Sequence, residues 1–79
     1  MDEPRVRLLG KDGCHLCDDA RAVVAEVCAE LGVAWIEVDI LTDPDLMARF
    51  GEYIPVLFVD GEPRDFWRVS PDRLRAALA

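Results

Sequence analysis

The stretch Gly13–Asp18, which reads Gly-Cys-His-Leu-Cys-Asp, places two thiols three residues apart at the predicted start of a helix. It follows a short apolar run and precedes a long helical pattern, an arrangement typical of a redox dithiol. With Cys14 near the N-cap, its sulfur would face unpaired backbone N–H groups and the positive end of the helix dipole, which favour the thiolate. We therefore expect Cys14 to be a nucleophile and Cys17, one turn later, to resolve a mixed disulfide at Cys14.

The helix after the dithiol is predicted by apolar residues spaced three and four positions apart. They would form one buried stripe within His15–Leu31, made of Leu16, Ala20, Val23, Val24, Val27, Cys28 and Leu31. Gly32 would end this helix, because glycine readily adopts the left-handed conformation of a C-terminal cap. Before the dithiol, Arg5–Gly10 is short and β-compatible, and it predicts a first strand joined to the helix by Lys11–Gly13.

Three further runs predict strands. Val33–Ile40 is rich in β-branched and aromatic residues, and a strand-helix-strand unit of this length favours a right-handed parallel crossover. Ile54–Val59 and Glu62–Trp67 flank Asp60-Gly61, which favours a two-residue type I′ turn and hence an antiparallel hairpin. Pro63 cannot donate to a ladder, so the last strand belongs at a sheet edge.

Two shorter helices complete the predicted order β-α-β-α-β-β-α. Thr42–Pro44 supplies cap residues and an N1 proline for a helix through Phe50, ended by Gly51. Ser70-Pro71 begins a last helix, Asp72–Leu78, in the same way. The aromatic residues of the strand regions are expected to cover the core or a sheet edge rather than to bind substrate: Trp35, Phe66 and Trp67.

Composition limits the function classes. The chain has 79 residues, of which 52% are hydrophobic, so we expect one folded domain over residues 1–79. A formal net charge of −7 leaves no basic stripe for nucleic acid or an anionic membrane surface. The acidic N-terminal residues carry no signal-peptide core and no later run has the length of a membrane span, so we expect a cytoplasmic location.

The cysteine count favours redox chemistry over a structural framework, because three cysteines leave one unpaired. Cys28 lies 11 residues beyond Cys17, about 16 Å along a helix, whereas Cα atoms of a disulfide lie about 4.4–6.8 Å apart. We expect Cys28 to be a buried hydrophobic residue. Zinc is disfavoured because a closed site needs four ligands and the chain has no second Cys or His cluster, so no metal is predicted.

With this element order, the Cys-His-Leu-Cys of Cys14–Cys17 and the Tyr-Ile-Pro-Val of Tyr53–Val56 resemble the thioredoxin fold, and most closely small bacterial glutaredoxin-like proteins. The resemblance spans nearly the whole chain and implies an α/β fold with a four-stranded mixed sheet and flanking helices. It also implies that the Ile54–Pro55 bond is cis, that Pro55 contacts the dithiol, and that the backbone of Ile54 pairs with a substrate strand. The alternative for Pro55 is an ordinary proline at a strand start.

The resemblance also bears on the electron donor. Lys11 matches the lysine that glutaredoxins place beside the nucleophile and the glutathione carboxylate; the alternative is a solvated loop lysine. The chain departs from glutaredoxins in having His15-Leu16 between the cysteines, where proline and tyrosine are usual, and in lacking their Gly-Gly after the fourth strand. We therefore expect no bound cofactor, and either glutathione or a flavoprotein reductase as the reductant.

His15 has two interpretations. An imidazolium near Cys14 would lower the pKa of the thiol and make the disulfide more oxidising. Otherwise His15 is a solvent-facing residue of the first turn. The carboxylates of Asp18 and Asp19 oppose this lowering of the Cys14 pKa. They interact favourably with the positive end of the helix dipole, but their negative charges repel a nearby thiolate.

The sequence thus predicts a monomeric thiol–disulfide oxidoreductase that reduces a protein or low-molecular-weight disulfide. Cys14 and Cys17 would be catalytic, whereas Lys11, Ile54 and Pro55 would bind the substrate. The alternative is a non-enzymatic module of the same fold that binds a partner strand at Ile54-Pro55 or carries a metal.

Overall fold

The computed structural model describes residues 4–79, which form a four-stranded sheet and helices in the predicted order. The elements are β1 (Val6–Gly10), α1 (His15–Leu31), β2 (Trp35–Asp39), a single 3-10 turn (Ile40–Thr42), α2 (Pro44–Phe50), β3 (Val56–Val59), β4 (Glu62–Phe66) and α3 (Pro71–Leu78). The predicted bounds of α1 and α2 are confirmed.

The sheet has the strand order β2-β1-β3-β4. β1 pairs parallel with β2, and β3 pairs antiparallel with both β1 and β4. Leu9 lies opposite Val56, and Val56 lies opposite Phe66. The carboxyl ends of β1 and β4 therefore meet the start of β3 at one end of the sheet, the same end from which the loop to α1 leaves.

Alternate residues of the central strands face two separate cores, as the pleat requires. Val6 and Leu8 of β1 pack with α1 and α3 in the larger core, which also contains Leu57 and Leu74. Leu9 faces the other way, into a smaller core that residues of α2 cover. Fully burying such aliphatic side chains contributes about 1.5–3 kcal/mol each, so burial on both faces fixes the register of the sheet.

The predicted hairpin and sheet edge are confirmed. Asp60 and Gly61 have φ values of 53° and 85°, the pair of positive angles that a type I′ turn needs. β4 lies at the edge of the sheet, and Pro63 is in it. A register shift between Leu57 and Phe58 accompanies this proline.

Several strand bounds predicted from the sequence were too wide, because local hydrogen bonds end the strands earlier. The N–H of Val33 bonds to the C=O of Cys28 at 2.9 Å, which holds it in the cap of α1 rather than in β2. The carboxylate of Asp39 accepts the N–H of Leu41 at 2.9 Å and begins the 3-10 turn, which removes Ile40 from the strand. β3 begins at Val56 rather than at Ile54, and β4 ends before Trp67.

Two burial predictions were wrong. Leu31, assigned to the buried stripe of α1, is the last residue of the helix and is 44% exposed. Trp35 packs against the larger core as expected. Phe66 and Trp67, in contrast, are exposed at the end of β4, so a place in the core, one of the two expected alternatives, is wrong for both, whereas coverage of the sheet edge stays a prediction.

Candidate active site

Cys14 occupies the N-cap of α1, as the sequence predicts. Its backbone is extended, and its sulfur accepts a hydrogen bond from the N–H of Cys17 at 3.2 Å. Cys14 is partly exposed, and its sulfur faces the N-terminal amide groups of the helix. This position favours the thiolate of Cys14 through direct hydrogen bonding and through the helix dipole.

Cys17 lies one turn further on and is fully buried. The two sulfurs form a disulfide, with the Cα atoms 5.2 Å apart. This separation lies within the range that disulfide geometry allows. The accessible member of the pair is therefore Cys14, and the shielded member is Cys17.

Gly10, the last residue of β1, lies against Cys17. A Cβ on Gly10 would stand 3.2 Å from the Cys17 sulfur and 3.5 Å from Oε2 of Glu37. Because Gly10 has no side chain, the buried sulfur of Cys17 fits against this strand end. The carboxylate of Glu37 borders the same space. The sequence pattern identified neither residue, because their proximity depends on the pairing of β1 with β2.

Arg21 holds that carboxylate in place. Its Nε and Nη2 donate to Oε1 and Oε2 of Glu37, both at 2.6 Å, and its Nη1 donates to Asp18 at 2.7 Å. Hydrogen bonds from the guanidinium to Glu37 and then to Asp18 raise the pKa of Arg21 above its usual range. The charge of Asp18 is thereby matched by a neighbouring cation, which reduces the repulsion that it would exert on a thiolate at Cys14.

An open cavity of about 410 Å³ lies beside this group of charges. Its lining residues are Gly10, Lys11, Asp12, Asp18, Arg21, Glu37 and Asp39. Lys11 is exposed at its rim, on the loop between β1 and the dithiol. Lys11 lines the cavity together with four acidic residues, so it lies in an acidic setting rather than an isolated cationic one.

The Ile54–Pro55 peptide bond is cis, as the resemblance implies. Pro55 is buried, and the side chain of Ile54 packs on the smaller core. Among residues 4–79, neither the N–H nor the C=O of Ile54 makes a hydrogen bond. The pairing of Ile54 with a substrate strand, which the resemblance implies, therefore meets no competing hydrogen bond within these residues.

A loop after β4 is tied to the same proline. The N–H of Trp67 donates to the C=O of Pro55 at 2.9 Å, and the indole N–H donates to the C=O of Glu52 at 3.1 Å. Trp67 has a φ of 58°, in the left-handed region. The structure thus joins the Ile54-Pro55 loop to the residues that replace the Gly-Gly of glutaredoxins.

The remaining candidate residues lie apart from this arrangement. His15 begins α1 with an exposed side chain. Cys28 is buried within α1 as predicted, and burial raises the pKa of its thiol.

In the described part of the chain, no group of three or more Cys, His, Asp or Glu side chains is placed to hold a metal ion. No helix within residues 4–79 has both the length and the apolar character needed to cross a membrane.

The sequence matches the family model of the glutaredoxin-like domain (DUF836) over residues 5–79. The chain belongs to this glutaredoxin-like family. Among curated proteins, it is 38% identical over 84 residues to the uncharacterized proteins Rv0508 of Mycobacterium tuberculosis and Mb0520 of Mycobacterium bovis. Each alignment covers 100% of this chain and 87% of the relative.

Solved structures support the fold. The X-ray structure of XcR50 from X. campestris is similar to this glutaredoxin-like domain with a TM-score of 0.76 and 35% identity, covering 92% of this chain and 93% of that one. The solution structure of Ne2328 from Nitrosomonas europaea has a TM-score of 0.81 at 23% identity, covering 100% and 96%, and shows the fold alone. The predicted thioredoxin-like α/β fold is thus confirmed.

Proposed function

We propose that this glutaredoxin-like domain is a thiol–disulfide oxidoreductase in which Cys14 attacks and Cys17 resolves. The thiolate of Cys14 attacks one sulfur of a substrate disulfide, forms a mixed disulfide and releases the first substrate thiolate. Cys17 then loses its proton and attacks the Cys14 sulfur, which forms the Cys14–Cys17 disulfide and releases the second substrate thiolate. The substrate gains the two electrons that the dithiol loses, and its two thiolates are protonated by the proton released from Cys17 and by one from solvent.

The observation that carries this proposal is the unequal placement of two sulfurs that can bond to each other. Cys14 is accessible at the N-cap, whereas Cys17 is buried beneath it with a Cα separation of 5.2 Å. An incoming disulfide therefore meets Cys14 first. The mixed disulfide at Cys14 would then lie within reach of the shielded Cys17 sulfur, which favours release of the reduced substrate.

Four further residues have proposed roles around the dithiol. The free backbone groups of Ile54 would pair with an extended substrate segment, and Pro55 would shape the groove beside the dithiol. Lys11 would attract a substrate carboxylate. His15 would favour the Cys14 thiolate through its charge when protonated.

A reductant must return two electrons to the Cys14–Cys17 disulfide. We propose either two molecules of glutathione or the dithiol of a flavoprotein reductase, acting in a reducing compartment such as the cytoplasm. Recycling rates of the oxidised protein, measured separately with glutathione plus glutathione reductase and with a thioredoxin-reductase-type flavoprotein, distinguish these donors. The lack of the Gly-Gly motif favours the flavoprotein.

Trapping of the covalent intermediate tests the function. Cys17→Ser should accumulate a mixed disulfide with a protein disulfide substrate, seen as a mass increase that dithiothreitol removes. Cys14→Ser should form none, and Cys28→Ser should behave as the wild type because that thiol is buried. If the Cys17→Ser protein bound a partner only non-covalently, the module would be a binding domain and the proposed activity would be wrong.

A further inference from the structure

Three aromatic side chains are exposed together beside the loop of Pro55. Tyr53, Phe66 and Trp67 are 45%, 39% and 51% exposed, and together they form what we term the aromatic surface. The ring centroid of Tyr53 lies 5.8 Å from that of Phe66 and 5.9 Å from that of Trp67. With Arg49 and Phe50 they line an open depression of about 240 Å³. Contiguous exposed apolar area of this kind usually marks a binding surface.

The register of the sheet places the aromatic surface at the reactive end of the molecule. Phe66 lies opposite Val56, and Val56 lies opposite Leu9, the residue before Gly10. Two strand spacings, about 10 Å, therefore separate the end of β4 from the end of β1. The loop that carries Cys14 leaves from that end of β1.

The loop holds Trp67 in a costly conformation. A positive φ is rare for a bulky residue, and it persists only where surrounding contacts determine it. Here the backbone N–H is bound to Pro55, the indole N–H to Glu52, and the buried carboxylate of Asp65 accepts the N–H of Ser70 at 2.9 Å. An exposed ring fixed in this way loses little conformational freedom when it binds a ligand.

The free N–H and C=O of Ile54 indicate what the aromatic surface would bind. Ile54 lies between Tyr53 and Pro55, so a strand paired with its backbone would run beside the aromatic rings. An extended chain advances about 3.3 Å per residue. A segment of about two to four residues therefore spans the two strand spacings between the end of β1, which leads to Cys14, and the end of β4 beside the depression. A tripeptide such as glutathione has only one residue on either side of its cysteine and falls short.

We propose that the aromatic surface docks an extended segment of a protein disulfide substrate and binds an apolar side chain of that segment. This proposal rests on the proposed oxidoreductase function and names its substrate class. The glutaredoxin-like domain would then distinguish its substrates by the residues that flank the substrate cysteine. It would react faster with protein disulfides than with compact low-molecular-weight disulfides.

The test is a single-turnover measurement, which needs no reductant. The pre-reduced protein is mixed with peptides of about eight residues whose one cysteine is disulfide-bonded to cysteamine, and formation of the Cys14–Cys17 disulfide is followed by acid quench. Two peptides differ only at the third residue from the cysteine, leucine in one and serine in the other. Burying the leucine should make that peptide react about tenfold faster.

Trp67→Ala should reduce the leucine preference to about twofold or less, and Tyr53→Ala provides a second variant if the first does not fold. Ile36→Ala removes a hydrophobic residue that is 40% exposed on β2, at the opposite edge of the sheet, and should leave the preference unchanged. Equal rates for both peptides in the wild type would overturn the docking proposal alone. Failure of every disulfide, including hydroxyethyl disulfide, to oxidise the dithiol would instead overturn the proposed function.

Discussion

Gly10 and Cys17 are in direct packing contact at the junction of the sheet and the first helix. A Cβ at Gly10 would lie 3.2 Å from the Cys17 sulfur and 3.3 Å from its Cβ, closer than most real contacts of this kind. The end of β1 therefore sets the space in which the sulfur of Cys17 lies. A substitution at either residue should therefore alter the packing of the other.

Gly10→Ala tests this contact. We expect the free energy of unfolding to fall by about 1–3 kcal/mol, because an added methyl group overpacks the site. We also expect slower resolution of the mixed disulfide, since Cys17 is displaced from Cys14. Urea unfolding and single-turnover kinetics measure the two effects. In a Cys17→Ala background the cost of Gly10→Ala should be smaller; an equal cost in both backgrounds would show that the sulfur is not the obstacle.

The charges around the first turn of α1 should tune the Cys14 thiolate. In a Cys17→Ser background, thiolate absorbance in the ultraviolet should place the pKa of Cys14 below that of free cysteine, because the sulfur caps the helix. His15→Gln should raise this pKa: a unit charge about 6 Å away in water is worth roughly 0.7 kcal/mol, about a threefold change in the ionisation constant. Asp19→Asn should lower it. If His15→Gln had no effect at any pH, His15 would be only a solvent-facing residue.

Asp65 should stabilise the loop that carries the aromatic surface. Its buried carboxylate accepts the N–H of Ser70 and two hydrogen bonds from Arg73 at 3.1 Å. Asp65→Ala should lower the free energy of unfolding in urea by about 1–3 kcal/mol, since it leaves these donors without their acceptor. The matched change Asp72→Ala removes a side chain that is 95% exposed and should cost about 0.5 kcal/mol or less. Equal costs would contradict the role of Asp65.

The ion pair between α1 and α3 predicts a small loss of stability in acid. Hydrogen bonds from Arg75 at 3.0 Å lower the pKa of Glu30 from its ordinary value of 4.5. Since the folded state then binds this proton less readily than the unfolded state, the stabilisation is present above pH 4.5 and is lost as the pH falls through the lowered pKa. Both groups are exposed, so the effect is modest.

Urea unfolding between about pH 6 and pH 3 measures this dependence. Glu30→Gln should lose less stability over that interval than the wild type. Glu52→Gln, which removes an exposed carboxylate elsewhere, should follow the wild-type profile. A Glu30→Gln profile that coincided with the wild type would exclude a contribution from the pair.

The features that were predictable from the sequence are those set by local chemistry. Cys14 at the N-cap, Gly32 at the end of α1 and the Asp60-Gly61 turn each depend on residues within a few positions. The position of Pro63 at the sheet edge follows from its missing N–H. The resemblance to glutaredoxin-like proteins further predicted that two motifs distant in sequence, Cys14–Cys17 and Tyr53–Val56, lie at the same end of the sheet.

The features that the sequence did not reveal depend on contacts between distant segments. Gly10 meets Cys17 only after α1 has packed on β1, and Arg21 of α1 meets Glu37 only after β2 has paired with β1. Trp67 was expected to cover the core or a sheet edge, and hydrogen bonds to Pro55 and Glu52 hold it outside the core in a conformation that propensity alone disfavours. Tertiary hydrogen bonds therefore overrode the hydrophobic pattern at this loop.

A redox titration of the Cys14–Cys17 pair tests the central claim most directly. The protein is equilibrated in glutathione buffers of graded potential, the free thiols are alkylated, and the oxidised fraction is read from the mass shift. We predict one reversible two-electron transition between about −270 and −120 mV, the range of known dithiol oxidoreductases. Cys28→Ser should leave it unchanged, while Cys14→Ser and Cys17→Ser should abolish it. A pair that stays reduced, or stays oxidised, at every potential in that range would contradict the account.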